Sequence, residues 1–114
     1  MYTISATGTT LDLTTSGGLT SFVGGCISDD GKYVYANNNS NIKQFTLSTP
    51  FNLSTASYTR QESGFSMSGW DGMCKISPDG TQMILQKNGY PNDHQFTSYE
   101  LTTAWDISTL TFQK

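Results

Sequence analysis

The side chains that could do acid–base or metal chemistry are few and widely spaced: one histidine, His94, nine carboxylates, and the cysteines Cys26 and Cys74. His94 follows Asp93, and such a pair could serve as a general base if a nucleophile or held water stood beside it. No Gly-x-Ser-x-Gly turn or comparable nucleophile context occurs, so His94 reads as a surface-loop residue and the chain as a non-enzyme. The acidic turns Asp29-Asp30 and Asp79 invite calcium, but a carboxylate per turn falls short of the ~6–8 oxygens that ion takes. A zinc site needs Cys and His at closer spacing. No metal or cofactor is expected.

What remains is recognition chemistry. Trp70, Asp71, Tyr90, Asn92, Asp93 and His94 make a carbohydrate-like set: an aromatic platform for the apolar face of a sugar, beside amide and carboxylate acceptors for hydroxyls. In the competing interpretation Trp70 is a large hydrophobe that closes the core at a turn, because Phe22 holds the matching place earlier in the chain. Trp105 and Phe51 are likewise expected to be apolar anchors that pin a linker against a sheet. Asp106 and Asn52 after them are expected to be turn formers or side-chain caps.

These residues belong to a unit written twice. Ser28-Asp29-Asp30-Gly31-Lys32 returns 49 positions later as Ser77-Pro78-Asp79-Gly80-Thr81. Leu47-Ser48-Thr49-Pro50-Phe51-Asn52-Leu53-Ser54-Thr55 returns 54 positions later as Leu101-Thr102-Thr103-Ala104-Trp105-Asp106-Ile107-Ser108-Thr109. Tyr2-Thr3 and Gly8 match Tyr58-Thr59 and Gly64, 56 positions on. The period of about 55 residues points to propeller blades or solenoid units, here blade 1 over residues 1–56 and blade 2 over 57–114. Met1 at the repeat junction reads as a natural start. Phe22, Gly24 and Cys26 match Trp70, Gly72 and Cys74, each 48 apart. Equivalent cysteines on separate sheets are expected to be too far apart to bond, and to be two small buried thiols.

Each copy reads as four short strands. In the second, these are Gly64–Ser68, Met73–Ile76 after a turn at Trp70-Asp71-Gly72, Thr81–Gln86, and Phe96–Leu101. Ser77-Pro78-Asp79-Gly80 is a β-turn, with Pro pre-setting φ and Gly accepting a positive one. In the first copy, Lys32–Ala36 and Ile42–Leu47 are the third and fourth strands, the latter broken at Gln44-Phe45. Turns in a four-stranded blade alternate between its ends. The Phe22 and Trp70-Asp71 turns should therefore share one end with Asn37–Asn41 and Gly89–His94. The Asp-Gly turns should share the other with the blade linkers.

The Ser-Pro-Asp-Gly-Thr turn, paired with the Leu-Thr-Thr-Ala-Trp-Asp-Ile-Ser-Thr stretch, resembles β-propeller repeats found in phage and marine viral or bacterial proteins, often in fibre-like or surface proteins. That resemblance covers nearly the whole chain and implies an all-β propeller fold. It carries no shared activity. The first copy departs from it mildly, with Asp29 for Pro78 and Pro50-Phe51-Asn52 for Ala104-Trp105-Asp106.

Composition agrees with β structure and narrows the partners. The chain holds 17 Thr and 14 Ser but only 35% hydrophobic residues, and no window has helical apolar spacing. Net charge is −3, with six Lys and Arg scattered singly, so no basic stripe awaits nucleic acid. No apolar run is long enough to span a membrane and no secretory leader is visible, which leaves localisation open between a virion and elsewhere. Asn38 and Asn52 head glycosylation sequons that matter only in a secretory pathway.

Two blades cannot close a ring that needs ~4–8. They would leave apolar faces open, and head-to-tail contact between copies is the economical cover. The expected partner is therefore the chain itself, three copies giving six blades in preference to four giving eight. The alternative is a two-blade fragment of a longer protein. The expected function is a non-enzymatic, self-assembling module that binds glycans or a surface, or builds structure, in a viral or phage setting. The alternative is a protein–protein scaffold within a larger assembly.

Overall fold

The computed structural model describes residues 10–13, 24–37, 41–63, 74–89 and 93–112. Within them the protein is all-β: two four-stranded antiparallel sheets, each a meander of consecutive strands. The first comprises β1 (Gly24–Ile27), β2 (Tyr33–Asn37), β3 (Asn41–Leu47) and β4 (Ala56–Ser63). The second comprises β5 (Cys74–Ile76), β6 (Gln82–Gly89), β7 (Asp93–Leu101) and β8 (Leu110–Phe112). The repeat in the sequence is thus a repeat in space.

The Ser-x-Asp-Gly turn owes its form to its own side chains. The Ser77 hydroxyl donates to Asp79 Oδ1 at 2.7 Å and accepts the Gln82 amide at 3.0 Å. Asp79 Oδ1 also accepts the Thr81 amide at 3.1 Å. The first copy repeats these bonds at 2.7, 3.0 and 3.1 Å through Ser28, Asp30, Lys32 and Tyr33. Gly31 and Gly80 close the turns at φ 73° and 74°, where a side chain is strained. Pro78 versus Asp29 changes nothing in this network.

The second motif proves to be a turn rather than a linker. It joins β3 to β4 and β7 to β8 inside each sheet, because the segment after it hydrogen-bonds back along β3 from Leu47↔Ala56 to Asn41↔Ser63. The polar Ala56–Ser63 stretch gave no strand signal of its own, which is why the sequence suggested a crossing between blades here. The expected break at Gln44-Phe45 is real: the β3–β4 register shifts between these two residues. The expected strand at Gly64–Ser68 lies outside the described residues.

The two sheets pack face to face. One cluster joins Tyr35 and Ile42 of the first sheet to Cys74, Ile76, Met83, Leu85, Leu101 and Ile107 around the second. Ile76, Met83 and Ile107 are fully enclosed, and such burial stabilises by roughly 1.5–3 kcal/mol per side chain. Strand alternation sends the other residues of β2, Val34 and Ala36, to the opposite face, where they cluster with Phe45, Leu11 and Leu13.

Cys26 and Cys74 form a disulfide, contrary to the expected pair of separate thiols; their Cα atoms lie 5.6 Å apart, within the ~4.4–6.8 Å usual for such bonds. The reason is register. Gly25 pairs with Ala36 and Cys26 with Tyr35, whereas Cys74 pairs with Leu85. The Asp-Gly turns align Ala36 with Leu85, so the true counterpart of Cys74 is Gly25. A one-residue offset reverses the face a side chain occupies. Cys26 therefore points to the second sheet and Cys74 to the first, and the two meet.

Candidate functional site

The turn motif of the second sheet makes direct contact with the first sheet. Asn52 and Asp106 cap single 3-10 turns, their Oδ1 atoms accepting Ser54 N at 3.1 Å and Ser108 N at 2.9 Å. Thr55 and Thr109 hydroxyls donate to the cap carbonyls at 2.7 Å and accept the amides of Thr49 and Thr103 at 3.1 Å. This accounts for the Thr, Asn or Asp, Ser and Thr positions of the motif. Phe51 and Trp105 enter at φ 62° and 69°, unusual for bulky residues. Their amides donate to the Gly31 and Gly80 carbonyls at 2.9 and 2.8 Å. Each ring covers the glycine beneath it: a Cβ on Gly80 would lie 2.3 Å from the Trp105 ring. Both aromatics thus sit over a glycine within their own sheet and do not pin a linker between blades, the role the sequence suggested for them.

Trp105 does more than Phe51. Its ring stacks on Tyr33 of the first sheet at 5.3 Å between centroids, nearly parallel at 12°. Its carbonyl accepts the Tyr35 hydroxyl at 2.9 Å. Beside it, the Ile107 amide donates to Gln44 Oε1 at 3.3 Å, and Arg60 pairs with Asp106. Burial pushes the Tyr35 phenol up, keeping it a hydrogen-bond donor. Phe51 faces no such sheet and is 64% exposed.

The carboxylates are engaged in their own turns. The Ser77 hydroxyl first, then Thr81, lowers Asp79 from 3.8 to about 2. Ser28 lowers Asp30, and Ser108 with Arg60 lowers Asp106. Lys75 meets Asp29 at 2.8 Å on the surface, where such pairs contribute little. Among the described residues, no three His, Cys, Asp or Glu side chains converge as metal ligands.

Of the six residues suggested for sugar binding, Trp70, Asp71, Tyr90 and Asn92 lie outside the described residues. Asp93 and His94 open β7, their backbones opposite Gly89 and Asn88, so His94 lies in a strand and not in the surface loop expected from the sequence, because β6 and β7 pair further than their apolar residues signal. That is the sheet end away from the Asp-Gly turns. The Asp-Gly turns do share their end with the Phe51 and Trp105 motifs, as expected, through the glycine carbonyl bonds.

Among the described residues, two unlike sheet surfaces lie where the sequence led us to expect open apolar faces, although it did not name the residues that form them. The first sheet turns an open apolar groove of about 290 Å³ away from the second, walled by Leu11, Leu13, Ile27, Val34, Ala36 and Leu53. The second sheet turns Lys75, Ile84 and Phe96 away from the first, with Phe96 68% exposed. Counting along the aligned turns could have found both, since each exposed residue has a buried counterpart in the other copy.

Comparison with protein families, with characterised proteins and with solved structures yielded no significant match.

Proposed function

We propose that the chain is a non-enzymatic structural and binding module that assembles head to tail with copies of itself into a closed propeller ring, three copies for six blades. The observation that carries this is the direction of stacking. The second sheet lays its inner face on the outer face of the first, which leaves one face of each kind open. Open faces of opposite kind build heterologous contacts, and these close into rings when the rotation is right.

The loops at the end opposite the Asp-Gly turns would then be displayed around the ring, bringing Trp70, Tyr90 and their neighbours to one surface several times over. Repetition raises avidity for glycans or another patterned surface without tighter single contacts. The Cys26–Cys74 bond supports an oxidising setting, as for a virion-exposed or other surface module. The repeat resemblance to phage and marine viral proteins supports the same setting.

Light scattering should give a mass near three times 12.5 kDa, and a stable monomer at micromolar concentration would sink the proposal. A glycan array without hits, together with unchanged tryptophan fluorescence across a sugar panel, would remove the glycan-binding part and favour a scaffold that docks a partner protein.

A further inference from the structure

We infer that the outer face of the second sheet, led by Phe96 and Ile84, seats in the groove of the first sheet of a second copy, repeating between chains the contact made within one. This rests on the head-to-tail assembly proposed above and names its contact surface.

The repeat register carries it. Tyr35 lies opposite Gln44 in the first sheet, and Ile84 lies opposite Ser98 at the same step of the second. Ile42 lies opposite Asn37, and Phe96 lies opposite Gln86. Tyr35 and Ile42 are 0% and 1% exposed because the second sheet covers them, whereas Ile84 and Phe96 are 45% and 68% exposed. The receiving side matches in the same way. Ile27, Val34 and Leu53 occupy the places of Ile76, Met83 and Ile107, which are fully buried against the first sheet. Among the described residues, the first sheet therefore carries a second sheet's inner face that is covered only in part, by Leu11 and Leu13 over Ala36 and Phe45, and the second sheet carries a first sheet's outer face.

Volumes compensate across this contact. Gly25 and Ala36 stand where Cys74 and Leu85 stand in the second sheet, so the groove is deeper than the surface it copies. Phe96 is bulkier than Ile42 and Lys75 longer than Cys26, which offsets the smaller Ile84 at the place of Tyr35 and adds bulk toward the deeper groove. The crosslink is not copied: Lys75 takes the place of Cys26 and Gly25 that of Cys74. The contact between chains is therefore noncovalent, since both cysteines are used within each chain.

Two variants at exposed positions test the pairing, since neither site supports the fold of its own chain. Phe96→Asp spoils one face and Ile27→Asp the other. With far-UV circular dichroism unchanged, each alone should fall to a 12.5 kDa monomer by light scattering. Mixed in equal amounts they should recover a dimer and nothing larger, because each supplies the half the other lacks. Ile84→Lys should behave like Phe96→Asp, and serves if that variant does not fold. If the wild type assembles and the variants keep its full mass, the contact lies elsewhere while the assembly itself stands. A mixture that stays monomeric overturns the pairing of unlike faces. A monomeric wild type overturns both the contact and the assembly.

Discussion

At the scale of single residues, the two copies make an internal control. Gly31 and Gly80 have the same backbone, yet the aromatic above each is held differently. Trp105 is fixed by the Tyr33 stack and the Tyr35 hydroxyl, while Phe51 is exposed and has room to swing. Gly80→Ala should therefore cost about 2–4 kcal/mol, from a strained φ plus a displaced indole. Gly31→Ala should cost only about 1–2 kcal/mol, the strain alone. Urea denaturation of the pair checks this, and equal losses would mean that the Tyr33 stack does not hold the ring. Asp79 offers a pH test. Its folded carboxyl is depressed from 3.8 to about 2 by the Ser77 hydroxyl and then Thr81. The contribution of the ionised form is thus complete above pH 3.8 and disappears as pH falls toward about 2. Wild type should lose its stability margin over Asp79→Asn across that window, seen as converging melting temperatures. Ser77→Ala should return the Asp79 titration toward the ordinary carboxylate range by NMR.

At the scale of elements, the contact between the sheets decides whether they act as one body. Among the described residues it combines an apolar cluster, an aromatic stack, hydrogen bonds from Tyr35 and Ile107, the ion pairs Arg60–Asp106 and Lys75–Asp29, and a covalent tie between cysteines 48 residues apart. Reducing the Cys26–Cys74 bond frees a long loop in the unfolded chain, so stability should drop by about 2–4 kcal/mol. Denaturant curves with and without a reductant that overlay would contradict the bond. Tyr35→Phe leaves the partly buried Trp105 carbonyl without this donor and should cost about 1–2 kcal/mol. The same substitution at a partly exposed tyrosine such as Tyr58 should change little, which separates loss of the hydrogen bond from a general effect of the change. How the elements are strung together was only partly legible. The turns of both copies and the strands β2, β3, β6 and β7 follow from Gly, Pro and alternation signals. The strands β4 and β8 did not, because their polar sequences acquire strand character only by pairing with β3 and β7.

For the whole molecule, the proposed head-to-tail assembly would tie stability to concentration. Association that requires the folded chain shifts unfolding by mass action. The melting temperature of the wild type should therefore rise on going from low to high micromolar protein. Phe96→Asp should remove that dependence while leaving the melting temperature of the dilute protein nearly unchanged. A wild-type melting temperature independent of concentration, found together with a monomer mass, would show that the open faces are not self-complementary. The residues proposed for glycan binding belong to this scale as well. Trp70 and Tyr90 gain meaning only if a ring repeats them, so loss of assembly in Phe96→Asp should weaken any surface binding far more than it weakens binding of a single soluble sugar.

The amino-acid sequence alone determined what depends on near neighbours: the Ser-x-Asp-Gly turn, the Asn or Asp cap, and the twofold repetition of both. Those features are closed by hydrogen bonds spanning at most a few residues, so local residue types suffice to write them. Only the tertiary structure decided which strands share a sheet and which way Cys26 and Cys74 face. Both turn on a single-residue register, and a strand reverses its faces with each step, so an alignment out by one position makes neighbours look like strangers.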